Sequence, residues 1–354
     1  MNIPVLALDI GTSCSKWGIR LPDGRLLTGT LASLGILGGQ NAFPGPHLSV
    51  LAQPVKGAYD ARSIESGAKY VRQGDIYEQD IYRLILFGAL SNALDAANIQ
   101  DEQVAIQIGV FGFPWSHLSQ GQVLVDLLQG KTWTVQKVDG KAYQVIFERI
   151  VYESQPYFAV VDQMCAWKSG SLSFARAESL FANGPAIVLH GGSNSWDFAH
   201  IPSTLLNAHY GSLALGVFQI EEQIIQEVYA QTHVNISGEE AMEVFRTGRF
   251  WFKSQEYDFN AVLQHIAEVY FDAEIVTPFQ RFYTKHHDAA TLLLVGGGVI
   301  RLENVLKDKF SAYFRRGVQM CVNDAGQPEP VLSILSGMLK KGFLEYVKGQ
   351  DVRV

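Results

Sequence analysis

Asp9-Ile10-Gly11-Thr12-Ser13-Cys14-Ser15-Lys16 follows the apolar run Pro4 to Leu8 and leads into a second run from Lys16 to Arg20. A strand joined to another strand by a short loop of Gly, Ser and Thr reads as a hairpin. Leu21-Pro22-Asp23-Gly24 then marks a further turn before Leu26-Leu27. The chain therefore opens with antiparallel strands, unlike a dinucleotide-binding domain, whose first strand feeds a helix. The same grammar recurs near the middle. The run Ala186 to His190 enters His190-Gly191-Gly192-Ser193-Asn194-Ser195-Trp196-Asp197. Such an echo is what a duplicated, two-lobed protein shows.

Around these loops, strands and helices alternate, which predicts an α/β protein. Helical spacing of Ile81, Leu84, Ile85, Leu90, Ala93 and Leu94 predicts a helix over about 76–99. Residues 104–113 read as a buried strand closed by Pro114. Residues 132–139 and 142–150 read as a hairpin around Asp139-Gly140, with a helix after Pro156. Helices are predicted over roughly 215–231, 238–248 and 259–286. A strand from Leu292 to Val295 ends in Gly296-Gly297-Gly298 and opens a helix at Arg301, and a last helix spans about 331–347.

Composition narrows the function. The chain has 354 residues, enough for two cored domains, and its net charge of −7 gives no basic field to hold nucleic acid directly. Cys14, Cys165 and Cys321 are scattered and form no CxxC pair, which argues against a disulfide framework, a zinc ribbon or an iron–sulfur site. With no signal-like N-terminus and no transmembrane-length apolar run, the reading is a cytoplasmic protein.

The chemistry is carried by three glycine-rich connections. The first loop exposes backbone N–H groups that can bind phosphate, and Asp9 can hold a hydrated Mg²⁺. Gly191, Gly192, Ser193, Asn194 and Ser195 of the second loop allow a similar close approach. Gly296 to Gly298, between a strand and a helix, leave room for a flat nucleoside against the main chain. Each alone is equally a polar turn or a tight connection. Their order and separation are what point to a nucleotide.

That order resembles the actin-like ATPases, and within them the filament-forming plasmid-segregation actins of the ParM type. Gly109 to Ser116 (GVFGFPWS) is similar to the family's G-x-P-x-S/T segment. Tyr152 to Pro156 (YESQP) is similar to its P-E-S-x-P connection between lobes. Tyr210 to Gly216 (YGSLALG) resembles its turn into a helix, and Pro330 to Met338 (PVLSILSGM) its C-terminal helix with a G-M step.

The resemblance implies a two-lobed, ribonuclease H-like duplicated fold, with residues 1–168 and 328–354 in one domain and 169–327 in the other. It implies ATP or GTP with Mg²⁺ in the cleft between lobes. Asp9 would sit near the metal, and Gly11, Thr12, Ser13, Cys14 and Lys16 would wrap the β-phosphate. Gly191 to Ser195 would approach the γ-phosphate, Glu153 would orient the attacking water, and Gly296, Gly297 and Gly298 would face the adenosine. His190 stands where the family's second loop begins with Asp. A neutral imidazole offers one acceptor nitrogen and a protonated one none, so His190 implies slow hydrolysis.

The implied function is a nucleotide-switched filament that moves plasmid DNA through a DNA-binding adaptor, with no direct nucleic-acid or membrane contact. A non-polymerising, nucleotide-clamped scaffold of the same fold for division or membrane-assembly partners is the alternative. A small-molecule kinase or a cluster-bearing activator ranks last: the sugar kinases are usually longer and need a general-base Asp at the lobe interface, and the activators need paired cysteines, which do not occur. Other motifs fall away. Gly130-Lys131-Thr132 ends like a Walker loop, but Val125 stands at its first glycine. GGGVIR at 296–301 misses the last glycine of the dinucleotide pattern, and adjacent His286-His287 makes a poor metal pair. The aromatic run Phe250-Trp251-Phe252 reads either as core or as part of a partner face within an insertion at about 235–290.

Overall fold

The computed structural model describes residues 1–11, 14–32, 34–37, 48–52, 55–59, 69–70, 80–136 and 141–351. Thr12, Ser13 and the Asp139-Gly140 turn lie outside the described residues. The chain forms two compact units, one of Met1–Arg176 with Leu332–Val354 and one of Ala177–Val331.

The first unit begins with β1 (Asn2–Ile10), β2 (Cys14–Arg20) and β3 (Leu26–Ala32), antiparallel to one another. The short strands β4 (Leu34–Leu37), β5 (Leu48–Ala52), β6 (Val55–Tyr59) and β7 (Lys69–Tyr70) precede helix α1 (Asp80–Ala96). Next come β8 (Gln103–Phe113), α2 (Gly121–Leu128), β9 (Thr132–Gln136), β10 (Ala142–Ser154) and α3 (Gln155–Met164). A small hairpin, β11 (Ala166–Lys168) and β12 (Ser171–Ser173), leads to α4 (Ala175–Phe181) at the boundary. The sheet runs β3-β2-β1-β8-β10-β9-β5-β6-β4-β7, with β1, β8 and β10 parallel.

Strand β1 is central and covered on both faces, which is why it reads as an unbroken apolar run. Leu6, Leu8 and Ile10 join the cluster that contains Leu84, Phe87 and Leu90 of α1. Val5 turns the other way, toward the C-terminal helix of the chain, α10 (Ser333–Asp351). The period of two puts Asp9 on that same face as Val5. Helix α10 lies very close to α3, since a Cβ on Gly337 would fall 1.8 Å from the Phe158 carbonyl oxygen. This accounts for the glycine of the Gly337-Met338 step.

The second unit repeats the plan. It contains β13 (Ala186–Gly191), β14 (Trp196–Ile201), β15 (His209–Leu213), α5 (Glu221–Thr232), α6 (Gly238–Thr247), β16 (Arg249–Phe252) and β17 (Gln255–Asp258). After these come α7 (Asn260–Tyr270), α8 (Val276–Lys285), β18 (Thr291–Val295), α9 (Glu303–Phe310) and β19 (Val318–Met320). Its sheet runs β15-β14-β13-β18-β19, with the first three strands antiparallel and β13, β18 and β19 parallel. The first five strands of the other sheet, β3-β2-β1-β8-β10, follow the same scheme. The echo in the sequence is thus an echo in register: Asp9 pairs with Lys16, and His190 with Asp197, one pair before each loop.

Three predicted segments come out differently. Tyr210 to Leu213 is strand, and the chain turns only after it, through a 3₁₀ turn at Val217–Ile220. The span 259–286 is two helices joined by a π-helical turn at Phe271–Ile275, where the extra residue lets fully buried Phe271 pack on Trp196 and Phe310. The segment after the three glycines starts as a 3₁₀ turn, Gly297–Leu302, and becomes α-helical at Glu303. In the aromatic hairpin, Phe250 and Tyr257 pack on the core, while Trp251 is 63% exposed. No described helix is long and apolar enough to cross a membrane.

Candidate functional site

In the first unit the site is built at the end of β1. Asp9 is completely buried, and its carboxylate accepts from Lys16 Nζ at 2.8 Å and from Gln155 Nε2 at 2.8 Å. Burial alone would depress the Lys16 pKa, but the facing Asp9 carboxylate, which also accepts its hydrogen bond, and Cys14 beside it together offset this and hold it above its ordinary value. The turn is tight: Gly11 N–H donates to Asp9 O at 3.1 Å, and a Cβ on Gly11 would fall 2.6 Å from the Cys14 carbonyl oxygen. Cys14 itself is partly buried.

Gln155 was not singled out in the sequence, yet it touches Asp9. It is the first residue of α3, just after β10, and Ser154 caps that helix by accepting from Tyr157 N–H. Its other amide atom, Oε1, is buried with no hydrogen-bond partner, an acceptor facing the neighbourhood of a carboxylate. Glu153, two residues earlier, is paired in the sheet with Gly112. Its carboxylate accepts from Ser154 N–H at 2.9 Å. Burial pushes the Glu153 carboxyl up, against that hydrogen bond and the positive charge of Lys341. Among the described residues no group of three or more His, Cys, Asp or Glu is placed to hold a metal directly. A buried carboxylate beside an unpartnered amide oxygen instead suits the water shell of a hydrated cation.

In the second unit the corresponding hairpin carries His190 and Asp197. Asp197 is fully buried, and it accepts from Ser212 Oγ at 2.6 Å and from Ser195 Oγ at 3.1 Å, with His190 Nδ1 at 3.3 Å. The acid absent from position 190 is therefore present on the paired strand. Register alone could have found it, because a hairpin that pairs 191 with 196 pairs 190 with 197. The loop is anchored from behind: Val217 N–H donates to Gly192 O and Phe218 N–H to Ser193 O. Gly216 must be glycine, since a Cβ there would fall 2.1 Å from Ser193 O. That contact explains the last letter of YGSLALG.

The three glycines after β18 have separate roles. Gly296 sits at φ +94°, with Gly191 O only 2.4 Å from where its Cβ would be, and Gly298 lies against the same carbonyl. These two let the 3₁₀ turn approach the end of β13. Gly297 meets nothing within 4 Å. Gly296→Val is therefore expected to destabilise the protein by at least about 2 kcal/mol through strain and clash. Gly297→Val should melt with the parent and yet lose nucleotide affinity, if the nucleoside lies there. Thermal melts and titration of the two variants check this.

No family model matches the sequence, and no curated protein matches it. Solved structures do match. The actin-like protein Alp7A aligns at a TM-score of 0.75 and 16% identity over 100% of this chain and 99% of its own. Ta0583, an archaeal actin homologue solved in complex with ADP, aligns at 0.69 and 16% over 98% of this chain and 99% of its own. A ParM from a 15-stranded Clostridium botulinum filament aligns at 0.68 and 17% over 99% of this chain and 100% of its own. The fold is actin-like. At this identity the likeness is one of fold, and the actin-like frame explains why the two hairpins occupy equivalent strands of two equivalent sheets.

Proposed function

We propose that the chain is a nucleotide-switched actin homologue that binds a Mg²⁺–nucleoside triphosphate through its two hairpin loops and assembles into filaments. The observation that carries this is the repeated hairpin. The five-stranded sheet and the first five strands of the larger one follow the same scheme, and each ends its first hairpin in a glycine-bearing loop beside a buried carboxylate. Gly11 to Lys16, including Thr12, Ser13 and Cys14, form the β-phosphate loop, and Gly191 to Ser195 the γ-phosphate loop. Asp9 and Gln155 would hold the water shell of a bound Mg²⁺, which would supply positive charge against the phosphates. Gly297 faces the nucleoside. The ADP complex of Ta0583 and the ParM filament support nucleotide and self-association, respectively.

The finer reading is a slow ATPase in the cytoplasm whose filaments move plasmid DNA through an adaptor protein. The charge of −7 supports the adaptor, since the filament has no basic field of its own. A non-polymerising scaffold clamped by nucleotide is the second reading, favoured by His190 at the position of an acid.

Titration calorimetry with ATP and GTP, with and without Mg²⁺, tests the binding. Saturable, metal-dependent binding near one equivalent is expected. Absence of heat up to millimolar nucleotide in either case would remove the reading. Turnover tests the residues. Glu153→Ala should slow hydrolysis with little change in affinity, the mark of a group that acts in the transition state. Gln155→Leu should slow it about 100-fold, because Asp9 loses a donor and the site an acceptor. If ionised Glu153 is needed, the rate should fall on acidification at a midpoint above that of an ordinary glutamate, because its pKa is raised.

A further inference from the structure

We propose that His190 is the proton acceptor of the second loop and that Asp197 is the positioning residue that sets its tautomer; this rests on the nucleotide reading above. The argument starts at Asp197, which no water reaches. Two serine hydroxyls, Ser212 Oγ and Ser195 Oγ, lie 2.6 and 3.1 Å from its oxygens and can only be donors to an ionised carboxylate. His190 Nδ1 lies 3.3 Å from the same Oδ2 that Ser195 uses. A lone pair there would face a buried negative oxygen, so Nδ1 must carry the hydrogen. In the neutral ring the lone pair is then on Nε2.

The surroundings of the ring leave that nitrogen open. His190 is paired with Val295 of β18 on one side and with Asp197 on the other, and it is 5% exposed. Its Cε1 lies 3.5 Å, and its Nε2 3.9 Å, from where a Cβ on Gly192 would be. Its Cδ2 lies 2.8 Å from where one on Gly296 would be. The ring thus rests between Gly192 of the candidate phosphate loop and Gly296 after β18, and no side chain of either covers its edge. Nε2 has no hydrogen-bond partner among the described residues. His190 is fixed at Nδ1 and presents a single acceptor at the loop.

In hydrolysis, the oxygen of a water forms a bond to the terminal phosphorus. The bond from that phosphorus to the bridging oxygen breaks, and its electron pair leaves with the nucleoside diphosphate. The proton of the water passes to His190 Nε2. The resulting imidazolium keeps its Nδ1–H on Asp197, whose buried charge stabilises it, and the proton then returns to solvent. A carboxylate at position 190 would have to sit unpaired against Asp197, two like charges in one buried site. His190 and Asp197 therefore suit each other, and the pair supplies an acceptor without that repulsion.

Two variants and one spectrum test the proposal. His190→Asn keeps a side-chain donor near the Nδ1 position for Asp197 and removes Nε2. Single-turnover ATP hydrolysis should fall about 100-fold, the scale of a lost general base, while calorimetric ATP affinity stays within about threefold. Asp197→Asn can turn its amide N–H toward Nδ1, and ¹⁵N spectra of the ring should then move from the Nδ1–H to the Nε2–H tautomer, with a similar loss of rate. If Asp197→Asn does not fold, the parent spectrum and His190→Asn carry the test. A parent ring in the Nε2–H form, or His190→Asn that binds ATP and turns over at the parent rate, overturns the proposal alone. A parent that binds no ATP overturns the nucleotide reading and this proposal with it.

Discussion

Replacing Asp9 by asparagine is expected to weaken Mg²⁺-dependent ATP binding at least about 100-fold, a loss of roughly 2.7 kcal/mol. Asp9 is the one carboxylate of the first hairpin loop, and both of its oxygens are engaged, one by Lys16 Nζ and one by Gln155 Nε2. Asparagine keeps one acceptor and turns a donor toward the other group, so Lys16 or Gln155 must lose its partner. A hydrated cation bound there would also lose the charge that holds it, and binding with Mg²⁺ should approach binding without it. The Lys16–Asp9 pair has a stability consequence of definite sign. Because the Lys16 pKa is raised on folding, the stabilisation is complete below about pH 10.5, and is lost only as pH rises through the folded value. At neutral pH the variant therefore loses all of it. Calorimetry with and without EDTA reads the binding, and a melt reads the stability. Parent affinity with parent Mg²⁺ dependence would contradict the assignment of Asp9.

The second large effect lies behind the site, where α3 and α10 meet. Lys340 and Asp162 are both buried, with Lys340 Nζ 2.6 Å from Asp162 Oδ1 and 2.8 Å from Cys165 O. Ser333 Oγ donates to Asp162 Oδ2 at 2.7 Å, Gln163 Nε2 adds a bond at 2.9 Å, and Ser336 Oγ donates to Oδ1. Lys340→Ala leaves a carboxylate in the interior without its counter-ion, and the expected cost is about 3–5 kcal/mol. The melting temperature should fall by roughly 10 °C. Lys340→Met with Asp162→Leu removes both charges together and should recover part of the loss, because a paired charge contributes less than a stranded one costs. A Lys340→Ala protein that melts with the parent would show the network to be worth little. Since Gln155 opens the same α3 that Asp162 closes, loosening α10 should also weaken nucleotide binding.

How far the sequence reaches is visible in these residues. The hairpin loops, their repetition and the order of the elements are local patterns, and alternation of apolar residues with glycine-bearing turns sets them. Asp9, Lys16 and His190 could be read there because a loop announces itself. Gln155 could not, since it meets Asp9 across a long separation in sequence, and only the parallel pairing of β1, β8 and β10 brings α3 over that strand end. Asp197 closes the second loop motif in the sequence, but only the register, which sets it opposite His190, gives it a role. The glycines divide in the same way. The sequence presents Gly296, Gly297 and Gly298 as one motif, whereas contacts with Gly191 O explain two of them and a Cβ on Gly297 would meet nothing within 4 Å. The aromatic run divides too, because a two-stranded hairpin alternates its side chains, and Phe250 goes inward as Trp251 goes outward.

Filament formation remains the most consequential part of the account. A protein whose conformational equilibrium shifts on binding a triphosphate can present different surfaces with and without it, so that nucleotide biases assembly. A contact between unlike ends does not close on itself and therefore propagates. Exposed Trp251 on the β16–β17 hairpin suits one such face, with Arg249 and Glu256 paired beside it. The deciding measurement is sedimentation of the purified protein over a concentration series with ATP–Mg²⁺, with a non-hydrolysable analogue and without nucleotide. The account predicts pelleting above a critical concentration in the triphosphate states, with filaments in the pellet by electron microscopy and little pelleting without nucleotide. A protein that stays in the supernatant far above micromolar concentration in every state would contradict it.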